Sequence, residues 1–285
     1  MAAYHVRSNS FPSRKHPLIS EFNEQLCRLR SSEEASSSST SIASKLSGLQ
    51  DLHECVDTLL LLPLNQQALS KEQNEKRVDM LLDGSLRLLD LCNNVKDALQ
   101  QTKESTHELQ SILRRKRGGE MSLSSEVKKF SASRKVVKKA VLKAMENRCS
   151  LSSLKKEQDT VEIVSMLREV ESITLTVFES MLSFIFGSKS QSKSSGWSLL
   201  FKMMNTKRVS CEVINESNGF ANADVALNLL ISQKKVKTTD NKLEDKAQNQ
   251  LQNLELCIQD LEDGVESRYR RLIKTRVAML NILNH

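Results

Sequence analysis

The sequence predicts an all-α fold, in which a bundle of long antiparallel helices follows a disordered N-terminal tail. Residues that favour turns and sheets are scarce, with 8 glycines, 3 prolines and 4% aromatic residues in 285. Straight-chain helix formers such as Leu, Lys, Glu and Gln are abundant instead. Apolar residues also recur three and four positions apart over long stretches, which is the spacing of one helical face. The start of the chain lacks that spacing.

This aperiodic start covers the first 43 residues. It contains two of the three prolines and the serine-rich run SSEEASSSSTS at 31–41. A segment with so little apolar surface cannot offset the conformational entropy that ordering would cost. We therefore predict a disordered, basic, Ser-rich tail at 1–43 and a helical bundle domain at 44–285.

Two amphipathic helices are predicted in the first half of the bundle domain. The first begins near Ser44 and ends before Pro63, because proline cannot continue a helix. The second runs from about Val78 through Ile112 and ends, after a basic last turn, at the pair Gly118–Gly119. With about 45 residues at about 1.5 Å each, the second helix would be about 70 Å long.

A third and a fourth helix are predicted in the middle of the chain. The third spans about 124–145, with an apolar stripe formed by Val127, Phe130, Val137, Val141 and Met145. The fourth runs from about 156 to 186 and becomes nearly apolar, so its end should be buried. An irregular loop is expected at about 187–222, and the stretch NESNGFANADVALNLLISQ at 215–233 holds at most one short helix.

The final helix has the most regular apolar spacing. Its stripe follows intervals of four and three residues for several turns and consists of Leu243, Ala247, Leu251, Leu254, Ile258, Leu261, Val265 and Leu272. Such a stripe packs either within its own chain or against a second copy in a coiled coil. We expect packing against the long second helix, so that these two form the spine of the bundle. An oligomer formed through the C-terminal helix is the alternative.

Several classes of function find no support in the residues. The six cysteines are far apart and form no CxxC pair, so we predict reduced thiols rather than zinc ligands or disulfides. No P-loop, GxGxxG, nucleophile elbow or HExxH motif is present. His53 lies on an apolar stripe and is expected to be a structural histidine. We therefore predict no enzymatic activity and no cofactor.

No targeting signal or membrane-spanning helix is predicted. The N-terminus lacks the apolar region of a secretory signal. The most apolar window, ITLTVFESMLSFIFG at 173–187, contains Glu179 and is too short to span a bilayer. We expect a cytoplasmic protein, and a peripheral membrane location and a nuclear location stay open as alternatives.

The tail contains a motif that a kinase could use. Arg7, Ser8, Ser10 and Pro12 form the pattern R-S-x-S-x-P, which with Ser10 phosphorylated is similar to the docking sites of 14-3-3 proteins. A phosphate adds about −1.5 to −2 charge and three strong acceptors that an arginine cluster can bind. We predict phosphorylation-dependent docking at Ser10. The alternative is that no partner protein recognises the tail.

The centre of the chain is strongly basic. Between residues 103 and 156 there are 15 Lys or Arg against five Glu, a net charge of +10 in a chain of +7. The candidate patch consists of Arg114, Arg115, Lys116, Arg117, Lys128, Lys129, Lys135, Lys138, Lys139 and Lys143. It is either a solvated face, a nuclear import signal through RRKR, or a contact for anionic lipid. Nucleic acid is not favoured, because Phe130 is the only aromatic residue nearby.

Several separated blocks together resemble a known family. They include YHVRSNSFPSRKHPL, LSGLQDLHECVDTLLLLP, LLDGSLRLLDLCNNVKDALQQTKESTHELQSILRRKRGG, SRKVVKKAVLKAM and LEDGVESRYRRLIKTRVAMLNILNH. In this order they look like the plant-specific BYPASS-related family, long catalogued as a domain of unknown function. The resemblance covers nearly the whole chain, except for the loop at 187–219. It implies a helical plant protein linked to root and shoot development, with no established enzymatic activity and no catalytic residues to carry over.

Two hypotheses for the function follow. In the first, the protein is a non-enzymatic regulatory or scaffolding protein in root and shoot development, switched by phosphorylation of Ser10. In the second, it is a peripheral membrane protein whose lysine-rich helix lies on anionic lipid. Binding to anionic vesicles that is lost at high salt would distinguish the second from the first.

Overall fold

The described secondary structure is entirely helical. The computed structural model describes residues 16–32, 39–71, 75–115, 123–149, 162–186, 218–233 and 241–284. The helices in these ranges are α1 (Pro17–Ser31), α2 (Ser39–Leu61), α3 (Pro63–Ser70), α4 (Glu75–Arg115), α5 (Leu123–Cys149), α6 (Glu162–Phe186), α7 (Gly219–Gln233) and α8 (Asn241–Leu283). The predicted all-α fold class is confirmed.

The two longest helices, α4 and α8, pack antiparallel along their lengths. Near one end, Lys103 of α4 donates to the carboxylate of Glu262 at 2.6 Å. Toward the other end, Arg276 of α8 donates to the carbonyl of Leu82 and to the hydroxyl of Ser85. Residue numbers therefore fall along α4 as they rise along α8, and the predicted spine of the bundle is confirmed.

The regular apolar stripe of α8 is buried inside the chain. Its buried residues include Ala247, Leu251, Leu254, Ile258, Leu261, Val265 and Leu272. All of them belong to one core cluster with residues from the other described helices. The expected intramolecular packing of this stripe is confirmed, and an oligomer formed through α8 stays a prediction.

The predicted tail extends too far into the chain, because helix α1 lies inside it. Phe22, Leu26 and Leu29 are spaced by four and three residues, and all three are buried. Pro17 stands in the first turn, where its missing N–H costs nothing, and His16 Nδ1 accepts from the N–H of Leu18 at 3.3 Å. A boundary at 43 is therefore wrong: α1 and the first residues of α2 are helical, while residues 1–15 lie outside the described part.

Helix α7 begins inside the loop that was predicted at about 187–222. Asn218 caps it, because its side-chain oxygen accepts from the N–H groups of Phe220 and Ala221 at 3.0 and 3.1 Å. The next residue, Gly219, permits close packing: a Cβ there would lie 3.3 Å from the Cβ of Cys257 on α8. The prediction of at most one short helix at 215–233 agrees with the described part of that stretch, whereas residues 187–217 are not described.

The apolar end of α6 is buried, as predicted. Phe184 and Ile185 are buried, and the ring of Phe184 meets that of Phe220 edge to face at 5.8 Å. Such aromatic pairs add about 0.5–1.5 kcal/mol to the burial of their area. This contact fixes the end of α6 against α7.

Four cysteines whose side chains are described form no disulfide. Cys55 and Cys92 are buried, Cys257 is half-buried and Cys27 is exposed. Burial raises the pKa of Cys55 to about 11 and that of Cys92 to about 12. Both buried thiols are therefore protonated at neutral pH, which suits packing rather than nucleophilic chemistry.

Candidate functional site: the lysine face of α5

One side of α5 is exposed and cationic. Lys128, Lys135, Lys139 and Lys143 are exposed, and these four residues are called the lysine face. At 3.6 residues per turn they fall within an arc of about 80°, and they extend about 23 Å along the helix axis. The opposite side of α5 is buried and consists of Leu123, Val127, Phe130, Val137 and Val141. The predicted amphipathic helix therefore presents most of its lysines to solvent.

The lysine face differs from its neighbour Lys129 in its ion pairs. Lys129 is also exposed, but its ammonium group lies 2.9 Å from the carboxylate of Glu126, one turn earlier. Its hydrogen bond with Glu126 raises the pKa of Lys129. Within the described ranges, no acidic side chain lies within ion-pair distance of the lysine face. Its four charges are therefore available to an external anion.

Other members of the predicted basic patch have different surroundings. Lys138 turns inward and donates to the carbonyl of Phe186, the last residue of α6, at 2.8 Å. Arg114 and Arg115 are exposed at the end of α4, where Arg115 folds back onto the hydroxyl of Ser111 at 2.7 Å. The remaining two members, at 116 and 117, lie outside the described residues. The structure thus divides the patch into an outward face and an inward anchor.

Arg134 anchors α5 to the bundle and was missed in the sequence. Its side chain is buried, donates to the carbonyl of Ile185 at 2.6 Å and pairs with Asp224 of α7 at 2.6 Å. The guanidinium also lies over the ring of Phe220, 5.4 Å from its centroid. Because cations stabilise the C-terminal end of a helix dipole, Arg134 and Lys138 together cap α6. These contacts fix the rotation of α5, so that the lysine face points outward.

Small apolar residues lie within and beside the lysine face. Ala132, Val136 and Ala140 are exposed on the same side of α5, and Val136 keeps 62% of its surface accessible. Contact of the Val136 side chain with water is not favourable. This side chain can instead enter an apolar layer while the lysine ammonium groups stay at the boundary of that layer. The face is therefore both cationic and weakly apolar.

A second group of cations, on α8, is turned inward. Arg268 is buried and donates to the carbonyl of Leu46 on α2 at 2.6 Å, and burial lowers its pKa. Farther along, Arg271 and Thr275 both donate to the carboxylate of Asp57, at 3.0 and 2.7 Å. These contacts join α8 to α2 and leave none of the three donors to an external partner.

His53 lies in the core, as its position on an apolar stripe predicted. Its Nε2 is 3.2 Å from the hydroxyl of Thr174, and that hydroxyl donates to the carbonyl of Val170 at 2.6 Å. The hydroxyl can therefore only accept from His53, which places the imidazole proton on Nε2. Burial lowers the pKa of His53 to about 4. The neutral ring thus has a structural role in joining α2 to α6.

The described residues contain neither a candidate membrane span nor a candidate metal site. None of the described helices is long and apolar enough to cross a bilayer. Within the same ranges, no three His, Cys, Asp or Glu side chains are grouped so that they could hold a metal ion. The predicted phosphorylation motif, Arg7, Ser8, Ser10 and Pro12, lies outside the described residues, so docking at Ser10 stays a prediction.

Comparison with known proteins finds one family. The family model described as Protein BPS1 matches residues 45–282, from the first turns of α2 to the last turn of α8. No curated protein and no solved structure matches the chain. The match includes the lysine face, Arg134 and the contacts between α2 and α8.

Proposed function

The chain belongs to the plant BYPASS-related family, and from this premise we propose that it is a non-enzymatic regulatory protein of root and shoot development that works at an anionic membrane surface. One observation supports the membrane contact best: four lysines that have no acidic partner among the described residues share one exposed face of α5. The protein would attach through this face while the rest of the bundle stays in water.

The length of the lysine face favours an extended anionic surface over a small anion. Its outer lysines, Lys128 and Lys143, are about 23 Å apart along the helix axis. A single phosphate or carboxylate cannot reach both, whereas a charged bilayer can bind all four lysines at once. Each lysine near an anionic surface contributes about 1 kcal/mol, so four contribute about 4 kcal/mol.

The apolar residues within and beside the lysine face favour lipid over nucleic acid. Proteins that bind single strands stack bases on aromatic side chains, and the exposed side of α5 offers Ala132, Val136 and Ala140 instead. Val136 is exposed at the edge of the lysine face, midway along it, and can enter the interfacial region of a bilayer, where apolar side chains are favoured. A shallow, electrostatically driven contact is expected.

Vesicle co-sedimentation tests the proposed contact. The full chain should bind vesicles that contain phosphatidylserine and should not bind vesicles of phosphatidylcholine alone. Raising the salt from ~0.1 M to ~1 M shortens the screening length from about 10 to about 3 Å and should release the protein. Salt-resistant binding, or equal binding to both lipids, would contradict attachment through the lysine face.

A second candidate rests on the sequence motif around Ser10. Phosphorylated Ser10, with Arg7 and Pro12 beside it, suits a 14-3-3 protein and would make the chain a phosphorylation-switched scaffold. The test is affinity purification from plant tissue with and without phosphatase, together with the variant Ser10→Ala. If a 14-3-3 protein still binds Ser10→Ala, this second candidate fails.

A further inference from the structure

An exposed hydroxyl group lies at the N-terminal end of the lysine face. Ser125 is the third residue of α5, which begins at Leu123, and its side chain is exposed. At about 100° per residue, Ser125 falls within the same arc of about 80° as the four lysines, and it precedes Lys128 by about 4.5 Å along the helix axis. A membrane that contacts the lysine face would therefore also contact Ser125.

The other serines in the described part of α5 do not share this position. Ser124, Ser131 and Ser133 are half-buried and fall outside the arc of the lysine face. Ser133 is turned toward α4, where its hydroxyl lies 3.2 Å from that of Ser105. Ser125 makes no side-chain hydrogen bond within the described ranges. Its hydroxyl is therefore open to a modifying enzyme.

A phosphate on Ser125 would act on the lysine face at close range. Lys128 and Lys129 follow Ser125 by three and four residues, the spacings at which side chains on a helix meet, and an acidic group is better placed before the lysine than after it. The phosphate carries about −1.5 to −2 charge at neutral pH. It would offset almost half of the four positive charges of the lysine face and would repel anionic headgroups.

The fold can accept this phosphate. Negative charge in the first turn of a helix is favoured by the helix dipole, and Ser125 lies in that turn of α5. The residues that pack α5 against the bundle, such as Val127 and Phe130, are buried on its opposite side. Phosphorylation of Ser125 would therefore change the surface charge and leave the bundle folded.

We propose that Ser125 is a phosphorylation site whose modification releases the protein from an anionic membrane. This inference rests on the proposed function, because it names the regulation of the lysine face. A protein kinase transfers the γ-phosphoryl group of ATP to the Ser125 oxygen: the new P–O bond replaces the bond to ADP, the hydroxyl proton passes to solvent, and ADP leaves. Hydrolysis by a phosphatase consumes one water molecule, releases inorganic phosphate and restores attachment.

Vesicle binding of the full chain, with phosphoserine incorporated at position 125, tests the switch. The unmodified chain should bind phosphatidylserine vesicles. Phosphoserine at position 125 should lower the partition coefficient about 10- to 30-fold, because each unit of charge near an anionic surface changes it about fivefold. The melting temperature should not fall, since the charge lies in the first turn of α5. Phosphatase treatment should restore binding.

The matched control carries phosphoserine at position 165. Ser165 is exposed on α6, and it lies about 30 Å along that helix from Ile185, whose carbonyl accepts from Arg134 of α5. This control adds the same charge, but it should lower the coefficient less than about threefold, because charges more than about 10 Å apart are largely screened at ~0.1 M salt.

The outcomes separate the switch from the membrane contact. If the unmodified chain binds but phosphoserine at position 125 has no effect, or has the same effect as at position 165, the switch is overturned and the membrane contact stands. If the unmodified chain does not bind, the membrane contact fails and the switch fails with it.

Phosphopeptide mass spectrometry of plant tissue tests whether the modification occurs. Trypsin cleaves after Arg117 and Lys128, so the peptide 118–128 contains Ser125. Phosphate at Ser125 should be enriched in the soluble fraction relative to the membrane fraction. Absence of phosphate at Ser125, or equal amounts in the two fractions, would overturn the proposal.

Discussion

Helices α5 and α8 carry similar numbers of cations in different surroundings: α5 has 8 Lys or Arg against 2 Glu, whereas α8 has 7 Lys or Arg against 7 Asp or Glu. On α8, Arg268 is buried against a carbonyl of α2, and Arg271 reaches the carboxylate of Asp57. On α5, Lys135 and Lys139 are exposed and meet no described acidic group. Among the described residues, α5 thus has four cations without acidic partners on one exposed face, whereas the central cations of α8 are paired within the bundle.

The chemistry of the two side chains explains this difference. Arginine has a planar fork of donors and is weakly hydrated, so it can be buried when carbonyls and carboxylates accept from it. Lysine is a strongly hydrated point charge and stays at the surface unless an acceptor is placed for it, as Phe186 is for Lys138. Even within α5, it is Arg134 that is buried. The buried cations that join helices here are arginines, whereas lysines join helices only at partly exposed contacts such as that of Lys103 with Glu262.

The largest effect is expected in the core of α8. Leu254 is fully buried and Leu256 is 62% exposed, two positions away. Leu254→Asp should reduce the free energy of unfolding by more than about 4 kcal/mol, because it buries a charge, whereas Leu256→Asp should change it by less than about 0.5 kcal/mol. Urea denaturation followed by circular dichroism measures both. Equal effects would contradict the burial of this stripe within one chain.

A smaller effect is expected for the inward cations. Arg268→Met removes hydrogen bonds from a charged donor to Leu46 and Gln50 and should cost about 2 to 3 kcal/mol of unfolding free energy. Lys135→Met on α5 should leave it nearly unchanged, because Lys135 is exposed. Differential scanning calorimetry of the two variants tests the comparison directly, and a larger loss for Lys135→Met would reverse it.

The buried histidine predicts a specific pH dependence. Its folded pKa is about 4, against an ordinary value of 6.5, so between these values the unfolded chain binds a proton that the folded chain does not. Stability from this group is complete above pH 6.5 and is lost as pH falls toward 4, by about 2 kcal/mol at pH 5.

The variant His53→Gln isolates this contribution. Its loss of stability between pH 7.5 and pH 5 should be about 2 kcal/mol smaller than that of the wild type, as measured by urea denaturation at both pH values. If His53→Gln and the wild type lose the same amount, the histidine is not held neutral in the fold.

The smallest effect on stability is expected for the lysine face itself. Changing Lys128, Lys135, Lys139 and Lys143 together to Gln removes no described ion pair. Because exposed charges contribute little, each change should alter the unfolding free energy by less than about 0.5 kcal/mol. A thermal melt close to that of the wild type would mean that lost membrane binding cannot be attributed to unfolding.

Apolar spacing was enough to predict most of this architecture. The stripes of α4 and α8, each carried over many turns, indicated the spine because long periodic segments leave few alternatives. Helix α1 was missed since Phe22, Leu26 and Leu29 are only three apolar positions in a polar, Ser-rich region. The cap at Asn218 was a local signal for α7 that loop composition obscured.

Whether each cationic side chain faces the core or the solvent was harder to predict than the positions of the helices. Sequence reasoning placed Lys138 with the outward lysines, although the end of α6 is packed beside it. A signal for Arg268 was present, because it lies between Val265 and Leu272 on the buried stripe. The carbonyl that accepts a hydrogen bond from such an arginine is determined by tertiary contacts between distant segments. The apolar periodicity of one helix gives no information on those contacts.

The most direct test of the central claim compares two variants of equal charge in vesicle binding. One carries Gln at the four positions of the lysine face. The other carries Gln at four exposed cations of α8, Lys242, Lys246, Arg270 and Lys274. Each variant loses four positive charges from a formal net charge of +7.

The measurement is the partition coefficient on phosphatidylserine vesicles at ~0.1 M salt, where surface charges more than about 10 Å apart are largely screened from one another. Loss of the lysine face should lower the coefficient about 100- to 1,000-fold, which corresponds to nearly 1 kcal/mol for each lysine. The α8 variant should bind almost as well as the wild type. Equal losses in both variants would show that net charge alone drives binding and would contradict a membrane contact through the lysine face.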